Sequence, residues 1–270
     1  MKKIAIVDIM GGFGNQLFAI CFGLQLKTNG FKVYYYFPDK KIAKDKEYNP
    51  SDRQLVINPK NFGIKKLQKF HIYFLKFFKK NYRIIFESEI NTSLEKIFPE
   101  EYTFITSFNG QFQDCLLYEN NKESIDNIIL NDKVFKTANS LVDKSNTMLS
   151  VRREFGPSSL DLSFYEKALL LCNIKDNTKL KIFSDDKLWV TKNKIFDECG
   201  YISSPSNKPE IVLKDFKMMI NSKNFIVGNS TFSLFASLIG HDKDSIIVIE
   251  KNFYENIKNI KFLSENVHLL

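Results

Sequence analysis

The sequence contains no apolar run of 18 residues or more, which excludes a conventional membrane-spanning helix. Its start, MKKIAIVDIMGG, is broken by Asp8 too early to be a signal peptide and reads as a first strand. Cysteine is sparse: Cys21, Cys115, Cys172 and Cys199 lack the spacing of a disulfide framework or a metal site, so reduced thiols and a cytoplasmic location are expected. Internal repeats and low-complexity tracts are missing, which argues against repeat, disordered and fibrous architectures. Arginine is scarce against a lysine-rich background. Lysine and arginine together number 39, yet only Arg53, Arg83, Arg152 and Arg153 are arginines.

What remains is ample for a core. The 270 residues are 44% hydrophobic, with 26 phenylalanines. That length suits one large domain or two of roughly 130 residues. A net charge of +8 is compatible with nucleic acid, an anionic membrane surface or an anionic substrate. Lysine carries nearly all of it, which reads as a usage bias rather than a binding code, and nothing beyond charge points to nucleic acid. The adjacent Arg152 and Arg153 stand out, because arginine presents a planar fork of donors that lysine cannot imitate.

Along the chain, apolar runs alternate with helical periodicity. Residues 4–9 read as a buried strand, 15–27 as a helix with Leu17, Ile20, Cys21 and Leu24 on one face, and 32–37 as a second strand. This βαβ opening belongs to doubly wound sheets. Residues 64–78 are a helix candidate, 83–86 and 102–107 are strand candidates, and 120–144 form a polar helical crossover. In the second half, strands are expected at 147–152, 180–183, 224–227 and 245–249. Helices are expected at 163–172, with Ser163 and Glu166 at capping-box spacing, and at 185–196, 215–220 and 230–239. The expected architecture is α/β, with two doubly wound Rossmann-like halves, 1–140 and 141–270, facing a cleft.

Four segments carry candidate chemistry. GGFGNQLF follows the first strand. Gly12 and Gly14 fit part of a dinucleotide fingerprint, but Leu17 stands at its third glycine and no acid follows at the right distance. A helix N-terminus with Asn15 and Gln16 still suits a sugar or a phosphate, or it is simply a tight turn with an asparagine cap. In MLSVRREFG, Arg152 and Arg153 end a strand, where two guanidinium groups could clamp a diphosphate, or they are a surface pair of basic residues. Successive strand residues face opposite ways, so one is expected on the ligand and the other against a neighbouring carboxylate, with Arg153, nearer the strand's carboxyl end, as the direct ligand. In KIFSDDKLW, Ser184, Asp185 and Asp186 follow a strand. One aspartate suits a helix cap, the other a base edge or ribose, and no third metal ligand falls in register. In FIVGNSTFSLFASLIG, Asn229, Ser230 and Thr231 open a helix in a way that suits phosphate.

Taken in order, GGFGNQLF, NGQFQDCLLY, SVRREF, IFSDD followed by Trp189, and NSTFSLFASLIG resemble the motifs of the bacterial alpha-1,2-fucosyltransferases of glycosyltransferase family 11. The resemblance implies a GT-B-like fold, GDP-β-L-fucose as donor bound mainly by the second half, inversion at the anomeric carbon, and no cofactor or obligatory metal. It implies that Arg152 and Arg153 neutralise the pyrophosphate and that Ser230 and Thr231 bind phosphate. Asn15 with the glycine backbone would approach the sugar diphosphate, and Asp185, Asp186 and Asp215 would be candidates for guanine or ribose. A glycan acceptor, in some cases lipid-linked, would meet the first half in the course of surface polysaccharide synthesis.

The chain departs from the family pattern at three places: Ser150 replaces the His and Phe155 the Asp of H-x-R-R-x-D, and Leu234 replaces a Trp. These departures keep open a GDP-sugar-binding or structural protein on a decayed transferase fold. Residues 65–83 hold Lys65, Lys66, Lys69, Lys76, Lys79, Lys80 and Arg83 without an acid. They read either as a basic amphipathic helix for an anionic membrane surface or as a helix packing its phenylalanines into the core.

Overall fold

The structure is a computed structural model that describes residues 2–37, 54–67, 82–131, 144–153, 159–203, 205–260 and 266–270. The chain divides into two compact units, Met1–Asn131 and Asp132–Leu270. The boundary expected at 140/141 lies outside the described residues.

In the first unit, β1 (Ile4–Asp8), helix α1 (Phe13–Thr28) and β2 (Lys32–Tyr36) form the βαβ opening. β3 (Lys65–Lys66), β4 (Tyr82–Phe86) and β5 (Ile105–Asn109) complete a parallel sheet of order β3-β2-β1-β5-β4. Short α2 (Cys115–Glu119) and α3 (Lys122–Asn131) follow. The order reverses between β1 and β5, as in a doubly wound sheet. α1 is not amphipathic in the expected sense: apart from Asn15, every residue from Phe13 to Leu26 is buried. It packs on the sheet at Gly23, where a Cβ would stand 3.6 Å from Val33 and 3.8 Å from Val7, ordinary contact distances, and 3.0 Å from the Ile64 side chain, which would have to give way.

The second unit is built from β6 (Thr147–Val151), α4 (Leu162–Leu171), β7 (Leu180–Ser184), α5 (Lys187–Lys192), β8 (Tyr201–Ile202), α6 (Pro209–Ile220) and β9 (Asn224–Gly228). It ends with α7 (Thr231–Gly240), β10 (Ile247–Ile249), α8 (Lys251–Asn256) and β11 (Val267–Leu269). All the strand pairs are parallel, in the order β11-β10-β9-β6-β7-β8. Central β6 is buried along its whole length, as expected of a strand covered on both faces. Leu149, Val151, Tyr165, Leu180, Ile182 and Ile226 form part of this unit's core. The α/β, GT-B-like expectation of two Rossmann-like sheets is met.

Several local expectations are corrected. The helix expected at 64–78 does not start there: Lys65 and Lys66 pair with Tyr34 and Tyr35, and residues 68–81 lie outside the described residues. Most of the stretch read as a membrane-surface helix is therefore outside them too. Of the crossover at 120–144, Lys122–Asn131 is helical and 132–143 is outside. Ser163 is not a cap: the N-cap of α4 is Asp161, whose side chain makes no capping bond. The helix expected at 185–196 is the short α5 followed by a 3-10 turn, Lys194–Phe196. The helix expected to begin at Asp215 begins six residues earlier, with Pro209 in its first turn, where a missing N–H costs nothing. No helix among the described residues is long and apolar enough to cross a membrane.

Candidate functional site

In the second unit the strand order reverses between β6 and β9, and ligands of open α/β sheets bind beyond the carboxyl ends of strands at such a point. The carboxyl ends of β6, β7 and β9 bring together Arg152–Arg153, Ser184–Asp185–Asp186 and Asn229–Ser230.

Asp185 organises the arginine pair. Its side chain is only 1% exposed, and its Oδ2 lies 3.3 Å from Arg152 Nη1. Its Oδ1 accepts a 2.7 Å hydrogen bond from the Arg153 backbone N–H. A buried carboxylate is costly unless compensated, and here both oxygens face positive or donor groups. The two arginine side chains diverge, as successive residues leaving a strand do. Arg153 sits with its Cζ over the Trp189 ring, 4.5 Å from its centroid, and donates from Nη1 to the Leu160 carbonyl at 3.0 Å. Trp189 packs against Tyr165 and Phe196, so Arg153 is anchored in an aromatic wall. Arg152 keeps 26% of its side chain exposed at the sheet end.

The two aspartates read together in the sequence do different things. Asp186 is the N-cap of α5, with Oδ1 accepting from Trp189 N–H at 2.8 Å. Ser184 Oγ accepts from Asp186 N–H, and Ser203 Oγ from Ser184 N–H, so this turn is held by its own hydroxyls.

Across from it, Gly228 adopts φ +61°, and a Cβ there would stand 3.3 Å from the Ser150 carbonyl. Glycine is required both for the left-handed turn and for the closeness of β6 and β9. Ser230 follows as N-cap of α7, its hydroxyl not engaged in capping, while Ser233 Oγ donates to the carbonyls of Val227 and Ser230. Thr231 is the first helical residue and is half-buried. The first N–H groups of α7 point out of the same end of the sheet, an arrangement suited to an anion.

Asp215 is not at a helix head. It lies mid-way along α6, buried, and accepts from Tyr201 Oη at 2.9 Å. Burial pushes its carboxyl up to about 6, partly opposed by the tyrosine bond.

In the first unit, Gly12 rather than Asn15 caps α1, and Gly11 takes φ +75°. Gly14 is buried in the first turn. Gln16 is 1% exposed: its Nε2 donates to the carbonyls of Gly11 and Gln54, and its Oε1 accepts from Val56 N–H. Its amide is used within the protein, which makes it a brace for the turn. Asn15 is half-buried, and its Oδ1 accepts from Gln113 Nε2 at 3.1 Å. The segment bearing Gln113 is itself fixed. Phe112 sits at φ +52° and stacks on Phe22 at 4.1 Å, while Glu87 Oε2 accepts from the N–H groups of Gln111 and Phe112. Asn109 and Gln113 carried no assigned role in the sequence reading. Their signal was position: Asn109 ends β5, a strand that borders the order reversal, and Gln113 lies four residues beyond it.

Residues 159–267 match the family model for glycosyl transferase family 11, so the resemblance read from the motifs holds over most of the second unit. The span includes FSDD, Trp189 and NSTFS but not the arginine pair or the glycine turn. No curated protein matches the chain. Among solved structures, Arabidopsis thaliana FUT1, as an arginine-to-lysine mutant in complex with GDP, is similar with a TM-score of 0.51 at 10% identity. That likeness covers 92% of this chain and 70% of the other. The NodZ alpha-1,6-fucosyltransferase co-crystallized with GDP aligns with a TM-score of 0.44 at 11% identity, over 87% of this chain and 92% of the other.

Proposed function

We propose that the chain is an inverting fucosyltransferase that moves L-fucose from GDP-β-L-fucose to a hydroxyl of a glycan, forming an alpha-1,2 linkage in a bacterial surface polysaccharide. The observation that carries this reading is the Arg152–Asp185 arrangement. A partly exposed guanidinium is held by a buried carboxylate at the carboxyl end of the central strand, on the same sheet end as the opening of α7. The family match over 159–267 adds the glycosyl-transfer chemistry.

In this reaction the acceptor hydroxyl oxygen attacks the anomeric carbon from the face opposite the diphosphate and releases its proton to water. The carbon–oxygen bond to the β-phosphate breaks, and GDP leaves with added negative charge. Arg152, the N–H groups at the start of α7 and the hydroxyls of Ser230 and Thr231 stabilise that charge. Arg153 acts through position, fixing the strand end and, by its backbone N–H, the carboxylate that aims Arg152. The second oxygen of Asp186 would accept from the nucleoside, and Asn229 would donate to it or accept from it. The glycine turn with Asn15 would bind a sugar hydroxyl or a phosphate, and the first unit would receive the acceptor. Because arginine supplies the positive charge, no metal is required, and transfer persists in EDTA. Contact with an anionic membrane through the lysine-rich stretch at 65–83 would bring a lipid-linked acceptor to the enzyme; flotation with anionic liposomes at low salt tests it.

The deciding experiment is GDP titration calorimetry followed by GDP-fucose turnover across a glycan array, with the product's anomeric configuration read by NMR. A folded protein that does not bind GDP refutes the proposal. Loss of transfer in EDTA with rescue by Mg²⁺ or Mn²⁺ refutes its metal-free mechanism. A second reading, a GDP-sugar-binding protein without transfer, is favoured by Ser150 and Phe155 in place of the family's His and Asp. It predicts GDP binding with no turnover on any arrayed glycan.

A further inference from the structure

The carboxyl end of the first unit's sheet carries four side chains in one row. Tyr36 is in register with Asp8, and Phe86 with Asn109. Asp8 and Asn109 lie on neighbouring strands, and Asn109 Nδ2 donates to Asp8 Oδ2 at 3.1 Å. Residues in register on a parallel sheet project from one face. The row therefore reads aromatic, carboxylate, amide, aromatic. At about 4.8 Å between strands it spans roughly 14 Å.

Its face is the one opposite α1. The helix approaches Val7 and Val33, whereas Tyr36 packs with Ile6, Tyr34 and Ile105 on the other side. The row also straddles the reversal of strand order between β1 and β5, where an open sheet leaves room for a ligand. Its members are accessible: Tyr36, Asp8 and Asn109 are half-buried, and Phe86 is 51% exposed.

The chemistry selects the ligand. A carboxylate excludes a phosphate or a second nucleotide by like-charge repulsion. A hydrogen-bonded carboxylate–amide pair offers fixed acceptors beside a donor, which matches the vicinal hydroxyls of a sugar, each both donor and acceptor. Aromatic rings at the two ends offer apolar faces to the C–H faces of a pyranose. A wall that is apolar at its ends and polar at its centre is the ordinary make-up of a small-molecule site. We propose that Tyr36, Asp8, Asn109 and Phe86 form a binding site for a neutral hexopyranoside unit of a glycan. On the transferase reading, this site receives the acceptor sugar.

Saturation-transfer NMR on the full chain tests it, using the methyl glycosides of β-D-galactose, β-D-glucose and N-acetyl-β-D-glucosamine, with GDP titrated in parallel. At least one glycoside is expected to bind. Asp8→Asn, which preserves shape and the Asn109 contact, should weaken it about tenfold, the scale of one lost charge-assisted contact. Phe86→Ala, at an exposed position, should also weaken it about tenfold, the scale of losing a partly buried aromatic face. GDP affinity should stay within about twofold, since the substitutions remove no phosphate contact. Circular dichroism verifies that each variant is folded. The proposal is overturned if none of the three glycosides binds the parent protein, or if a glycoside binds both variants as it binds the parent. Glycoside binding without GDP binding would leave this site standing and remove the donor reading. GDP binding without glycoside binding would do the reverse.

Discussion

Replacing Arg152 by Ala should produce two losses of different origin, and Asp185 lets them be separated. The Asp185 side chain is 1% exposed and faces Arg152 at 3.3 Å. Breaking a buried pair by removing one partner typically costs about 3–5 kcal/mol. Here Arg152 is a quarter exposed and Asp185 keeps the Arg153 N–H, so about 2–3 kcal/mol is the expected loss of stability. The second loss is in ligand binding. Truncating a desolvated charge contact to a diphosphate costs about 2–5 kcal/mol, or roughly 30- to 4,000-fold in GDP affinity. Adding Asp185→Asn removes the stranded charge while leaving an oxygen for the Arg153 N–H. In the double variant, urea unfolding should recover at least half of the lost stability, whereas calorimetry should show GDP affinity no better than in Arg152→Ala. Arg152→Lys should hold the fold and restore GDP binding only in part, since a point charge cannot make the two-bond fork. Full recovery of GDP affinity in the double variant would show that Arg152 merely neutralises Asp185, and the assignment of this arginine to the diphosphate would fall.

The Asp215–Tyr201 pair predicts a pH effect on stability. The folded carboxyl titrates near 6, above its ordinary value, so the native state holds a proton that the unfolded chain releases. Stability should fall as pH rises from about 4 to 6 and level off above, and Asp215→Asn, which can still accept from Tyr201, should be more stable than the parent by about 2 kcal/mol at pH 7.5 but not at pH 4. Thermal unfolding at several pH values checks this, and parallel pH profiles for parent and variant would refute it. Gly228→Ala should destabilise by about 1–3 kcal/mol in denaturant titrations, because an L-residue is strained at φ +61° and its Cβ would crowd the Ser150 carbonyl. Trp189→Ala should loosen Arg153 and lower GDP affinity less than Arg152→Ala does, as fits a residue that acts through another.

The sequence made the two parallel sheets legible where strands carry an apolar centre, as Met148 and Leu149 give β6, Ile182 and Phe183 give β7, and Phe225, Ile226 and Val227 give β9, since strands covered on both faces are rich in such residues. β3, β8 and β11 have two or three residues each and leave no periodicity to read. The start of α6 is hard to read because Pro209 marks a break as readily as a first turn, and the run Ile211, Val212, Leu213 does not by itself show helical period. At the site, FSDD could be placed after a strand, but which aspartate caps and which is buried depends on three-dimensional neighbours: Trp189 N–H for one, the arginines for the other. The same holds for the arginines: their divergence and a carboxylate partner for one of them follow from strand geometry, but which one meets Asp185 and which one meets Trp189 and Leu160 depends on three-dimensional neighbours. Gln16 looked like a ligand because an amide next to a glycine turn suits one, and only the approach of residues 54–56 shows where its bonds go.

The segment after β5 carries one further consequence. Glu87 fixes two consecutive N–H groups of that segment, and Gly110 passes so near that any side chain there would collide with the glutamate. Phe112 is held in a left-handed conformation by stacking on Phe22. Restricting a residue's backbone costs about 1–2 kcal/mol of entropy. In this segment that cost falls on folding, before any ligand arrives. Asn15 and Gln113 thus meet a visiting molecule with their orientations already set, and a neutral guest that forms only a few hydrogen bonds can be held without first having to organise its host. The arrangement also couples three distant positions: a change at Gly110, Glu87 or Phe22 would be felt by a ligand that touches none of them.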